Sequence, residues 1–321
     1  MGNQKNGRGS APESPSCTLV LSDTDNDLRS VLYVLWLTGL CDRQGRWRSG
    51  LRRLQVVHTG DWLNKLNPNP AVLDFLYTLQ ASAPHSCSVI LLVGNHEVEI
   101  VQRAATGLRT RLNDDHLHFI RQQGILHVAG NILYLHGYPT LNLLALLRQM
   151  QQEEESLNDF NDRFRKALYE GRYALFRDRE GLEMVGDIRN VRQYYMRSGV
   201  TGVRYGEQVS QLLRQLGIDT VIHGHRPNLL IQLDHELSDV VPGIRIINND
   251  NKASVTGFGA AVVDERGYVR FINPKAMQVL GGEQAFRKKV RRILGTGKQD
   301  VAHGIPSGDE AVLTAVSRSE D

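Results

Sequence analysis

Short apolar runs recur along the chain, and longer stretches of mixed polarity separate them. The runs are "CTLVLSD" (17–23), "LQVVHTGD" (54–61), "VILLVGN" (89–95), "NILYLHG" (131–137), "DTVIHGH" (219–225) and "GIRIINND" (243–250). Each is short, rich in β-branched residues and nearly continuous in its apolar character. That combination predicts strands covered on both faces. Between the first runs the period changes to that of a helix, with Leu28, Val31, Leu32 and Leu35 on one face of 28–40 and a similar pattern over 70–80. Strands alternating with helices imply an α/β fold.

The pattern also divides the chain. Residues 1–16, "MGNQKNGRGSAPESPS", are rich in Gly, Ser, Pro and Asn and read as a disordered arm. One domain is expected over 17–275, interrupted by a charged, amphipathic helical insertion at about 141–217. Two alternating strands should follow in "FGAAVVDERGYVRFI", turning at Asp264–Gly267. Residues 276–321 read as a basic helix and a polar tail. In that helix Phe286, Val290, Ile293 and Leu294 recur at helical spacing among Arg287, Lys288, Lys289, Arg291 and Arg292. Docking of this apolar stripe on the domain is the expectation, because two turns bury too little for stable membrane attachment alone.

Composition narrows the class without choosing a function. At 41% hydrophobic and 23% charged residues the chain is an ordinary soluble globular protein, and no apolar run is long enough to span a bilayer. A net charge of +3 says little about partners, and no nucleic acid is expected. Cys17, Cys41 and Cys87 are odd in number and widely spaced, which favours reduced thiols in a cytoplasm. A secreted effector, addressed by the polar arm, is the alternative. Nothing here fixes an oligomeric state.

Polar residues end five of the apolar runs. They are Asp23 and Asp25 in "LSDTDND", Asp61 in "TGDWLNK", Asn95 and His96 in "GNHE", His136 in "LHG" and His225 in "HGHRP". In open α/β folds ligands lie at the carboxyl ends of strands, so these groups should converge. Each alone reads more simply as a turn or cap residue. The order and spacing of all five argue otherwise.

Together "DTD", "GDWLN", "GNHE", "HG" and "GHRP" resemble the motif series of the calcineurin-like metallophosphoesterase superfamily. The closer likeness is to its phosphoprotein phosphatase branch, including bacterial members, over about 17–272 and without clear alignment through 141–190. The resemblance implies an αββα fold, a two-sheet sandwich flanked by helices, and hydrolysis of phosphoesters by water activated between two divalent metal ions. It implies Asp23, Asp25, Asp61, Asn95, His136 and His225 as metal ligands, with Asp61 bridging. It implies His96 as the acid that protonates the leaving oxygen. Lys65, Asn95, Arg197 and Arg204 are the expected phosphate contacts, with Arg192 a weaker choice. A phosphorylated substrate, such as a phosphoprotein, is the partner implied. A phosphodiesterase, a nucleotide pyrophosphatase or a degenerate binding module on the same scaffold are the rivals.

Three departures from the family pattern carry expectations of their own. Asp25 stands where the family usually has His, which should favour Mn²⁺ or Mg²⁺ over Fe or Zn²⁺. Asn64 and Lys65 replace Asp-Arg, so the carboxylate expected to hold His96 is an amide at Asn64; Asp25, Asn26 and Asp27 are the other candidates. "HGHRP" offers two histidines, of which alignment on "GH" and "RP" selects His225 and leaves His223 as strand filler.

Overall fold

The structure, a computed structural model, describes residues 17–51, 53–172, 200–225, 232–233, 241–250, 259–273 and 282–294. The arm at 1–16, the central part of the insertion including Arg192 and Arg197, and the tail beyond Leu294 lie outside the described residues. Two five-stranded sheets carry the fold. The first holds β1 (Cys17–Leu21), β2 (Leu54–His58) and β3 (Cys87–Leu91) in parallel, with β9 (Ala260–Asp264) and β10 (Val269–Ile272) antiparallel beside β1. The second aligns β5 (Ile132–Leu135), β6 (Thr220–His223) and β8 (Arg245–Asn248) in parallel, edged by β4 (Leu126–Ala129) and β7 (Gln232–Leu233).

The side-chain alternation of a strand explains the layering. On β1, Val20 joins Val57, Ala261 and Val263 of its own sheet and Ile132, Tyr134, Ile222 and Ile247 of the other, forming a core between the sheets. Its neighbours Leu19 and Leu21 face the opposite way, into the larger core that the helices share. Both faces are therefore buried, and near-continuous apolar runs are what such strands require.

The helices flank this sandwich. α1 (Leu28–Thr38) starts on Asp27, whose side chain accepts the Ser30 amide, and stops at Gly39, where φ is +81°. A left-handed residue there suits glycine alone without strain. α2 (Pro70–Ala81) begins with proline in the first turn behind the Asn69 cap. α3 (Asn95–Ala105) and α4 (Asp114–Arg121) follow β3. The described part of the insertion contributes α5 (Leu141–Gln152), α6 (Leu157–Tyr169) and α7 (Val200–Gln215).

The last helix, α8 (Glu283–Ile293), buries Phe286 and Val290 fully against the core beside α1. Burial of two such side chains contributes roughly 1.5–3 kcal/mol each, an upper estimate that needs the cations on the remaining faces to stay in water. Tyr33 of α1 donates to Glu283 Oε2 at 3.1 Å and fixes the start of α8. Among the described residues no helix is long and apolar enough to cross a membrane.

Candidate metal centre

Turns at the carboxyl ends of β1, β2 and β3 bring the first carboxylates together. Asp23, Asp25, Asn26 and Asp61 all take positive φ, between +45° and +75°, although none is glycine. Left-handed backbone costs such residues on the order of 1–2 kcal/mol each, so the surroundings must impose it. Here the two turns are laced together: the amides of Asp23, Asp25 and Asn26 donate to the carbonyls of Gly60, Asp61 and Trp62 at 3.0, 3.1 and 2.9 Å. Gly60 and Gly94 are glycines because the turns touch. A Cβ on Gly60 would sit 2.7 Å from His136 Nδ1, and one on Gly94 would collide with the Asp61 carboxylate.

The imidazoles come from the second sheet. His136 leaves β5 fully buried, and its Nδ1–H donates to the Thr59 carbonyl at 3.0 Å. That bond fixes the ring and turns the Nε2 lone pair toward Asn95 Oδ1 at 3.1 Å, His225 Nδ1 at 3.0 Å and Asp61 Oδ1 at 3.3 Å. His225, past β6, is itself at φ +66°, and its amide donates to both oxygens of Asp23. Asp61, His136 and His225 thus present donor atoms that all lie within 4.8 Å of one another. His223 belongs elsewhere. It is buried, its Nδ1–H meets the Gly224 carbonyl at 2.7 Å, and its ring packs 4.5 Å from Tyr138.

This donor set fits a cation. Lone pairs of two imidazoles, an amide oxygen and a carboxylate converge where one proton cannot satisfy them all. The pKa shifts express the same conflict. Burial opposes charge on His136, yet Asp61 and Asp23 lift it to about 10, whereas burial and then His136 push His225 down to about 3. Burial, then Asp250, pushes Asp23 up, while the histidines led by His136 hold Asp61 below the usual carboxylate range despite its burial. In addition, Asp25 Oδ1 is buried, and its near neighbour is His96 Nδ1 at 3.1 Å. A buried carboxylate oxygen is costly unless a cation supplies the contact, and protonated His96 is one such cation.

His96 stands on the other side of Asp61. Its Nδ1 lies 2.9 Å from the Leu63 carbonyl, 3.1 Å from Asp25 Oδ1 and 3.4 Å from Asp61 Oδ2. The single proton on that nitrogen serves the carbonyl and leaves the other ring nitrogen for chemistry. Burial opposes its protonation, but Asp25 and Asp61 raise it to about 9. Asn64 does not hold His96: its Oδ1 accepts from the Leu66 and Asn67 amides of its own loop. Asp25 takes the place beside the ring, while Asn26 Oδ1 accepts from the Asn64 and Asn69 amides and Asp27 caps α1.

The expected phosphate contacts are divided. Asn95 is at the centre. Lys65 is half-exposed and pairs with Glu99 at 3.4 Å, and Arg204 is exposed on α7. Arg197 is outside the described residues.

Sequence reasoning missed the groups that hold the turns. Glu97 is fully buried, and its carboxylate accepts the amides of Gly94, Asp61 and Leu63 at 2.8, 2.9 and 3.1 Å. It ties the turn of Asp61 to the turn of Asn95, although burial and Asp61 raise it to about 7. His58 accepts the Gly60 amide at Nδ1 and so donates from Nε2 to Thr24 Oγ1; burial pushes it down to about 3, which keeps it neutral. The signal for both was adjacency to motifs, in "HTGD" and "GNHE".

Comparison with known proteins gives a family and a fold. The family model described as calcineurin-like phosphoesterase matches residues 18–228. No curated protein matches in sequence. Among solved structures, a cold-active protein-tyrosine phosphatase of the psychrophile Shewanella sp. superposes with a TM-score of 0.55 at 17% identity, covering 80% of this chain and 77% of that one. A protein serine/threonine phosphatase from Saccharomyces cerevisiae gives 0.48 at 13% identity, with 81% of each chain covered. A metallophosphoesterase from Sphaerobacter thermophilus gives 0.42 at 13%, covering 88% of this chain and all of that one.

Proposed function

The chain belongs to the calcineurin-like phosphoesterase family, and from that premise we propose that it is a phosphomonoesterase of phosphoproteins working with two divalent ions. The observation that carries this reading is the division of Asp61. One oxygen, Oδ1, lies 3.3 Å from His136 Nε2, which also meets Asn95 and His225; the other, Oδ2, lies 3.4 Å from His96 Nδ1, which also meets Asp25. A carboxylate so placed can belong to two coordination spheres at once.

Asp61, Asn95, His136 and His225 would hold one ion, and Asp23, Asp25 and Asp61 the other. Bound there, the ions would supply a hydroxide-like nucleophile near neutral pH and neutralise phosphoryl charge. The hard carboxylate of Asp25 favours Mn²⁺. The protein's own groups do the rest. His96, oriented through Nδ1 by the Leu63 carbonyl, gives a proton to the departing alkoxide from its other nitrogen. Asn95 and Lys65 meet phosphoryl oxygens, with Arg204 and Arg197 the further cations proposed for the same task.

Metal analysis and assays with nitrophenyl phosphate and its bis-ester test the reading. Asp61→Asn should lose bound metal and monoester hydrolysis together. Two retained equivalents of metal, or a clear preference for the bis-ester by the unaltered protein, would overturn the assignment.

A further inference from the structure

An asparagine can be buried when both ends of its amide are hydrogen-bonded, and Asn161 is so placed. It is 7% exposed, its Oδ1 accepts the Ile125 amide at 3.0 Å, and its Nδ2 donates to the Leu126 carbonyl at 3.1 Å. Asn249 is buried more deeply, at 1% exposure, yet among the described residues neither its Oδ1 nor its Nδ2 has a hydrogen-bond partner. Two bare amide atoms in the interior carry a desolvation cost that a ligand can offset.

The strands locate this amide. Ile222 of β6 pairs in register with Ile247 of β8, and both face the core between the sheets. Two residues further on, strand alternation returns Gly224 and Asn249 to that same side. The Asn249 backbone amide donates to the His223 carbonyl at 2.7 Å, so the two segments still run together there. Gly224 marks what lies opposite: a Cβ on it would collide with Ser22 Oγ and Asp23 Oδ2. Asp250, the next residue, is also buried, and after burial itself it is the strongest influence raising Asp23. Asn249 therefore lies between two residues that act on Asp23. The donors around that carboxylate are already committed to it, Ser22 through its hydroxyl and His225 through its backbone amide.

We infer that Asn249 is a further residue of the metal centre, its amide oxygen serving the ion held by Asp23, Asp25 and Asp61. The inference rests on the two-ion reading above. Those three groups are all carboxylates, and Asp250 adds another negative charge that Asp23 feels. A neutral oxygen adds a donor there without adding charge. A hard cation also selects the oxygen end of an amide, which accepts, over the nitrogen end, which only donates.

Calorimetric titration of the metal-free full chain with Mn²⁺, alongside the melting temperature of the same metal-free samples, tests this. The unaltered protein should bind two equivalents. Asn249→Ala should weaken one of them about tenfold or more, as loss of a group at a metal site does. Its metal-free melting temperature should hold or rise, because a buried amide without partners is removed. Asn249→Asp keeps an oxygen at the position and should retain the affinity that Asn249→Ala loses. Unchanged Mn²⁺ affinity in Asn249→Ala, or equal losses in both variants, would overturn the inference. So would a lower metal-free melting temperature in Asn249→Ala, which marks an amide bonded within the scaffold. Fewer than two equivalents in the unaltered protein would instead overturn the two-ion reading, and this inference with it.

Discussion

The two sheets contribute to the candidate metal centre in physically different ways. The first sheet supplies carboxylates from turns whose backbone is forced: Asp23, Asp25, Asn26 and Asp61 all lie at positive φ. The second supplies imidazoles from strand ends, with only His225 so twisted; its cost is desolvation, as at the fully buried His136, which the buried Asp23 and Asp61 bear in addition to their strain. Acids need many short hydrogen bonds to hold a strained turn, and the Gly60, Asp61 and Trp62 carbonyls and the Glu97 carboxylate provide them. Histidines need one bond each to fix a ring, as Thr59 does for His136. Strain on one side and burial on both place opposite charges within reach of a common point.

This contrast can be broken most sharply at His96, which stands in the strained half beside Asp25 and Asp61. His96→Asn should lower kcat by roughly 10²–10⁴-fold, the usual size of a proton-donor contribution, with metal content retained. The loss should shrink for aryl phosphates, whose leaving groups need less protonation. Equal losses for good and poor leaving groups would falsify the donor role.

The strained half is tested at Glu97. Replacing it with Gln turns an acceptor toward amides into a donor, at a carboxylate that holds the Gly94, Asp61 and Leu63 amides. We expect metal affinity to fall about 10–100-fold, as for groups that orient ligands, while the apo protein stays folded. Titration with Mn²⁺ and the apo melting temperature, read together, separate orientation from general destabilisation. Unchanged metal affinity would show that the turns hold without it.

The second half carries a pH signature away from the candidate metal site. His127 on β4 is stacked 5.9 Å from Tyr134, and burial pushes its imidazole down to about 4. The unfolded chain therefore takes up this proton near 6.5 while the folded chain resists it, so stability falls as pH drops from about 6.5 toward 4. At pH 5 the loss should be on the order of 2 kcal/mol. Urea midpoints for the unaltered protein and His127→Gln, compared at pH 7 and pH 5, should show the smaller decline in the variant. Parallel declines would rule His127 out as the source.

The smallest effect is expected at Asp25, where a carboxylate stands beside His96. Asp25→His should keep the fold and shift activation several-fold from Mn²⁺ toward Zn²⁺ or Fe, because imidazole is the softer ligand. An unchanged activation profile would mean that Asp25 touches no metal.

The sequence by itself determined the strands, their two-faced burial and the order of the motifs. The reason is local: a strand with both faces covered must be apolar throughout, and the polar residue that ends it is visible one position later. "DTD", "GDWLN" and "GNHE" could be read in this way, as could the hairpin around Asp264–Gly267. Only the tertiary structure decided which groups meet. It placed His225 and not His223 beside Asp61, because Gly224 and the twisted backbone after it turn one ring toward the centre and leave the other against Tyr138. It turned Asn64 onto its own loop and brought Asp25 to His96. It made Glu97 a tie between two turns and gathered arginines from 43 to 291 around Trp36. Most of these pairings join residues tens to hundreds of positions apart, and the packing of whole elements settles them, which no local pattern of polarity encodes.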